Sequence, residues 1–273
     1  MAKPKKMSVV RKLTESAIML ALATILGFIK IVDLPYGGSV TIASLLPILV
    51  VAYRHGIPWG VLTGLAHGAI QFALGSSVLS YVTGWKSVVA VIVLDYIAAF
   101  AAIGLGGLTR RMADQRSAVV TGAVIAGAAR YICHVISGAT VWAGLSIPDA
   151  AAIKYSLVYN ATYMIPETIV LVLVGLYLFS ALDFSGERLK AFKKDEFGEL
   201  YYSKMVITGS AVIPALVFIV ASVFAHLQNG ETGEFDVTGI SNVNWVAVCA
   251  VALSAAIVVV ATFVTLRKPK KNE

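Results

Sequence analysis

The sequence predicts an all-α polytopic membrane protein of about eight membrane helices, on three observations. The 273 residues are 58% hydrophobic and only 14% charged, with a mean hydropathy of +0.83, far from the usage of a water-soluble domain. Several apolar runs exceed the ~18 residues that mark a bilayer span, since about 20 residues at ~1.5 Å rise cross a ~30 Å hydrocarbon core. Runs such as 207–224 and 246–264 do not alternate apolar with polar residues, which sets a β-barrel aside. Helices, which satisfy their own backbone in lipid, are left.

The basic start, with Lys3, Lys5, Lys6, Arg11 and Lys12, precedes an apolar stretch that runs past any clear cleavage site, so a retained first helix is predicted over 10–32. A second helix over 41–53 is short for a span and contains Pro47, which predicts a kinked or protein-buried segment. Further helices are predicted over 57–76, 87–108, 118–141 and 155–181, completing a six-helix bundle. Helices over 204–226 and 244–266 form a C-terminal hairpin. The charged stretch from Asp183 to Lys204 divides the two parts and reads as a linker or an amphipathic interfacial helix. The expected domains are 1–183, a cytoplasmic charged linker over 184–203, and a two-helix appendage with a basic tail over 204–273. No internal repeat suggests an inverted-repeat transporter.

The formal charge of +7 does not point to nucleic acid, because the basic residues cluster at the ends of apolar runs instead of forming one amphipathic face. With the N-terminus inside, 18 of the 22 Lys and Arg residues fall on the cytoplasmic side and only Lys30, Lys86 and Lys154 outside. Arg130 lies within a helix and does not vote. Both termini are therefore expected in the cytoplasm. Cys133 and Cys249 sit in apolar segments, so neither a disulfide framework nor a zinc spacing is present. No nucleophile elbow, zinc-binding histidine pair or phosphate-binding glycine loop occurs, so no catalytic residue, metal or cofactor is expected. Energy for transport against a gradient must come from a partner or an ion gradient.

Ionisable groups inside spans are costly, and each is a functional candidate until a structural partner explains it. Asp95, Arg130, His134 and Glu167 qualify. Arg130, His134, Gly138 and Trp142 recur every fourth residue and share one helix face, with Ser137 beside it. Tyr155, Tyr159 and Tyr163 recur likewise, with Asn160 and Glu167 near the same sector. Such a set suits a flat, partly cationic ligand, whereas outer aromatics such as Tyr81, Trp85, Trp142 and Tyr155 also fit an interfacial belt. Arg130 and Glu167 lie at similar depth and read as a structural ion pair, and an unpaired carboxylate at Asp95 must either protonate or find a cation. Gly60, Gly64 and Gly68 read as close helix packing, while Ala17 and Ala21 face either a neighbour within the chain or a separate subunit.

These residues lie in segments that resemble the thiamine-specific substrate-binding subunits (S components) of energy-coupling factor transporters. The segments are TESAIMLALA at 14–23, LPYGGSVTIASLLPILVVAYRHG at 34–56, LDYIAAFAAIGLGGL at 94–108, RYICHVISGATVW at 130–142 and KYSLVYN at 154–160. The resemblance spans about residues 8–183 and implies a six-helix S-component-like bundle with both termini cytoplasmic. It implies that Asp95 and Tyr96 reach the vitamin, that His134, Gly138 and Trp142 line the pocket, and that Tyr155 and Asn160 complete it. It further implies docking through Ala17 and Ala21 on a transmembrane coupling subunit driven by two ATPase subunits. Some members carry Glu at the position of Asp95, and some carry Trp where this chain has Gly38, which leaves either Tyr36 as a substitute cover or that contact absent. The two last helices have no counterpart in the family unit.

The resulting expectation is uptake of thiamine across a bacterial plasma membrane. The competing expectations are an S component for a thiamine precursor, a self-sufficient proton-coupled carrier using Asp95, Glu167 and Arg130, and a structural or regulatory subunit.

Overall fold

The computed structural model describes residues 7–34, 37–144, 149–192, 194–227 and 236–265. The chain divides into two compact units, residues 1–190 and 191–273. Among the described residues six helices are long and apolar enough to cross a membrane, and the protein is a multi-pass membrane protein.

In the first unit, Ser8 caps α1 (Val9–Gly27) by accepting from the Arg11 N–H. The helix expected to continue to residue 32 ends at Gly27, and the chain enters an antiparallel hairpin of β1 (Lys30–Asp33) and β2 (Ser39–Thr41). The sequence Ile29-Lys30-Ile31-Val32-Asp33 accounts for the change, since β-branched residues prefer the pleated backbone and Lys30 closes on Asp33 at 2.9 Å. α2 (Leu46–His55) is only ten residues long and every one of them is buried, so it belongs to the protein interior and not to the lipid boundary. Gly56, at φ +95°, turns the chain straight into α3 (Ile57–Gly75), a backbone state that favours glycine.

α4 (Trp85–Thr109) is irregular, with π turns over Val91–Ala98 and 3₁₀ turns over Ala102–Thr109 where Gly104, Gly106 and Gly107 cluster. α3 lies directly on it. A Cβ at Gly64 or Gly68 would collide with the carbonyl oxygens of Phe100 and Tyr96, so the small residues of α3 permit this close approach. Asp114 starts α5 (Gln115–Gly144), accepting from Ser117 N at 3.0 Å and Ser117 Oγ at 2.8 Å. α6 (Asp149–Ala181) runs beside α5 and contains Pro166, which removes one backbone rung.

A polar clasp closes one end of this unit. Arg54, which lies between the helices predicted over 41–53 and 57–76, is buried: its Nε lies 2.6 Å from Glu15 Oε1 and its Nη1 donates to Phe184 O at 2.7 Å. His55 Nε2 meets Glu15 Oε2 at 2.8 Å, and Arg11 pairs with Glu187 at 2.6 Å. Burying Arg54 is tolerable because each guanidinium nitrogen finds an oxygen.

The second unit contains α7 (Lys194–His226) and α8 (Trp245–Thr265). α7 begins ten residues before the span expected at 204, so the later part of the charged stretch is helical. Val206, Val246, Leu253 and Ile257 are exposed apolar residues, as lipid-facing positions require. A short 3₁₀ turn over Val237–Asn242 is capped by Asp236.

Candidate ligand-binding site

Asp95 and Tyr96 sit in the π stretch of α4, where the widened turn re-aims side chains that a regular helix would stack. Asp95 faces α5: its Oδ2 accepts from Ser137 Oγ at 2.9 Å, and its Oδ1 lies 2.9 Å from His134 Nδ1. The latter is a close approach and not an aligned hydrogen bond, since Asp95 Oδ1 has no hydrogen-bond donor among the described residues. His134 Nε2 is buried and has no hydrogen-bond partner among the described residues. Tyr96 turns the other way, its hydroxyl donating to Gly75 O at 2.9 Å and its ring edge meeting Phe72 at 5.1 Å.

α5 and α6 are locked together beneath this cluster. A Cβ at Gly138 would collide with Ser156 Oγ, and Ser156 Oγ donates to Val135 O at 2.7 Å. Asn160 Nδ2 donates to Ser156 O at 2.9 Å and reaches His134 O at 3.3 Å, while its Oδ1 accepts from Tyr163 OH at 2.7 Å. Tyr163 packs edge-on against Tyr159 at 5.6 Å and against His134 at 6.5 Å. Tyr159 OH in turn accepts from the Gly38 N–H at 3.0 Å, which ties the hairpin to α6. A Cβ at Gly38 would fall 2.8 Å from both Tyr159 OH and the Tyr163 ring, so these two tyrosines occupy the space a larger residue would need.

One turn deeper, Arg130 Nη1 donates to Glu167 Oε2 at 2.6 Å, and the guanidinium carbon lies 5.2 Å from the Phe100 ring centroid. Glu167 Oε1 accepts from Thr41 Oγ1 at 3.2 Å, so the hairpin is tied to this buried pair as well.

The structure thus brings Asp95, His134, Gly138 and Asn160 together. Tyr155 is half-buried near the start of α6, one residue before Ser156. Trp142 belongs to α5, but its side chain lies outside the described residues, as does the whole of Tyr36. Ala17 and Ala21 are exposed on α1, away from this cluster in sequence and on the same face as Leu13. Sequence reasoning missed Thr41 and Ser156 as members of the network. A single hydroxyl in an apolar run carries no periodic signal, although Ser156 lies one turn before Asn160.

Residues 13–184 match the family model described as thiamine transporter protein. The thiamine transporter ThiT of Bacillus subtilis (strain 168) is 36% identical over 180 residues, covering 62% of this chain and 90% of that protein. A solved structure of ThiT from Listeria monocytogenes aligns with a TM-score of 0.51 at 24% identity, covering 62% of this chain and 93% of that one. That last likeness speaks for the fold. The family match ends at residue 184, before α7 and α8 begin.

Proposed function

The chain belongs to the thiamine transporter protein family, and on that premise we propose that it captures thiamine from outside a bacterial cell as the substrate-specific subunit of an ATP-driven energy-coupling factor importer. The observation that carries this reading is the Asp95 cluster: a carboxylate held beside an imidazole, with Asn160 and two tyrosines joined to the same site. A carboxylate offsets the fixed positive charge of thiamine, and an aromatic face over a desolvated cation adds about 2 kcal/mol. In this reading Asp95, His134, Gly138, Trp142, Tyr155 and Asn160 line the pocket and Tyr36 covers it, while Tyr96 flanks the site with its hydroxyl bonded to Gly75 O. Arg130 and Glu167 hold α5 to α6 as a structural pair.

The import step needs partners, because the sequence carries no nucleotide-binding domain. Ala17 and Ala21 would seat a transmembrane coupling subunit that two ATPase subunits drive, and their exposure on α1 among Leu13, Ile18 and Leu22 supports the assignment. Both termini face the cytoplasm in this arrangement, and residues 184–203 link the vitamin-binding domain to the appendage.

Titrating the purified, folded protein with thiamine tests the substrate, with tryptophan fluorescence as the readout. Saturable quenching is expected, with weaker competition from the isolated pyrimidine and thiazole halves. Absence of any response removes thiamine as the ligand. Tighter binding of one half than of thiamine reassigns the site to a precursor.

A further inference from the structure

We infer that Arg54 is a positioning residue for coupling: its hold on Glu15 fixes the rotation of α1, so that Ala17 and Ala21 point outward to the coupling subunit, while vitamin binding does not depend on it. The inference rests on the coupled-importer reading above and gives that reading a residue outside both the pocket and the docking pair.

α1 is thinly packed. Of its 19 residues only Ser16 and Ala23 are buried, both small and on one narrow stripe. Leu13, Ile18, Leu22 and Ile25 are exposed instead. Apolar contact drives little association between helices in lipid, so this stripe does not by itself decide which way α1 is turned. Polar contacts in the first half of the helix do.

The Glu15 carboxylate faces Arg54, with Nε 2.6 Å from Oε1 and Nη2 3.4 Å from Oε2, and its Oε2 also meets His55 Nε2 at 2.8 Å. Both partners are fixed. They end α2, a helix whose every residue is buried, and the other donors of Arg54 go to backbone carbonyls: Nη1 to Phe184 O at 2.7 Å and Gly186 O at 3.2 Å, Nη2 to Glu187 O at 3.2 Å. A guanidinium held this way cannot follow a rotating helix without stranding a buried charge. At about 100° per residue, Ala17 lies ~200° and Ala21 ~240° around the helix from Glu15. Holding Glu15 inward therefore turns both alanines outward, and both are exposed. One turn earlier Arg11 adds a second tie, Nη1 to Glu187 Oε1 and Nη2 to Glu187 O, each at 2.6 Å. None of these groups touches the Asp95 cluster, which draws on α4, α5, α6 and the hairpin. Breaking the clasp thus reaches the docking face and spares the pocket.

The test returns full-length variants to the protein's own host in place of the chromosomal copy. Uptake of radiolabelled thiamine, at equal abundance in the membrane, is measured beside thiamine binding by the purified chains. Arg54→Met is expected to bind thiamine within about threefold of the parent and to lose about tenfold or more of the uptake rate. Glu15→Gln is a milder break, because Arg54 keeps its three carbonyl partners. The same split between binding and uptake is expected there, even if Arg54→Met does not fold. Hydrogen–deuterium exchange reads the structural cause: amides of 9–27 should exchange faster in the variants while those of 130–160 keep their parental rates. A merely structural clasp would speed both regions and lower binding and uptake together, which overturns the inference. Unchanged uptake or unaltered α1 exchange in Glu15→Gln overturns it as well. A parent chain that restores no uptake also overturns it, and the binding measurement then tells whether the importer reading alone or thiamine itself has failed.

Discussion

Asn160 shows how one side chain can join two helices and a ring cluster. Its amide nitrogen serves Ser156 O and His134 O, and its carbonyl serves the Tyr163 hydroxyl. Replacing it with Leu leaves a buried phenol without its acceptor, so Asn160→Leu is expected to destabilise the protein by about 2 kcal/mol and to abolish thiamine binding. A lowered unfolding midpoint together with lost fluorescence quenching checks both parts. The Arg130–Glu167 pair behaves differently because both charges are buried. Either Arg130→Met or Glu167→Leu alone strands a charge at a cost of roughly 3–5 kcal/mol, whereas the double substitution is expected to cost much less than the sum. A thermal double-mutant cycle reads the difference. At this scale the sequence was informative where chemistry recurs: Arg130, His134 and Gly138 advertise a face by their spacing of four. Thr41, Ser156 and the backbone N–H of Gly38 do not, because their contacts arise from segments more than a hundred residues apart or from single hydroxyls in apolar runs.

At the scale of elements, the existence and order of the helices were legible, since unbroken apolar runs leave the backbone little alternative in lipid, but their ends were less so: α1 stops at Gly27, short of 32, and α7 starts ten residues before 204. The hairpin after α1 and the π turns around Asp95 were not legible. Both depend on how the local chain packs: Leu34 N bonds back to Gly38 O at 2.8 Å, and the widened α4 turn sits against glycines of α3. Arg54 falls between the helices predicted over 41–53 and 57–76, where a charge is ordinarily solvated, yet here it is buried and anchors Glu15 and the chain leaving α6. The start of α5 supports a separate prediction. Burial would raise the Asp114 carboxyl, but hydrogen bonds from Ser117 and the Arg116 guanidinium outweigh it and pull it down to about 2 from an ordinary 3.8. A depressed carboxyl stabilises the fold only while ionised. The cap's contribution is therefore fully present above about pH 4 and is lost as the pH falls through about 2. Asp114→Ala is expected to remove about 1 kcal/mol at neutral pH. The gap between variant and parent in thermal melts should narrow in strong acid.

For the whole molecule, the question is which part is sufficient for vitamin capture. Charge counting fixes an expected topology, with both termini in the cytoplasm, that a C-terminal reporter active only inside the cell checks directly. A stronger prediction concerns the appendage. The family match stops at residue 184, the first compact unit stops at residue 190, and all the site contacts described run among the hairpin, α3, α4, α5 and α6. The clasp of Arg11, Glu15, Arg54 and His55 onto residues 184–187 also lies within that unit, so its polar groups stay paired when the rest is absent. A chain ending at residue 192 is therefore expected to insert, fold and bind thiamine within about threefold of full-length affinity, a change of ~0.65 kcal/mol or less. Fluorescence titration of the two proteins side by side decides it. Loss of binding by the shortened chain, with its helical spectrum intact, would make α7 and α8 part of the binding machinery; full retention leaves them free for a role in assembly or in anchoring the basic tail at the membrane surface.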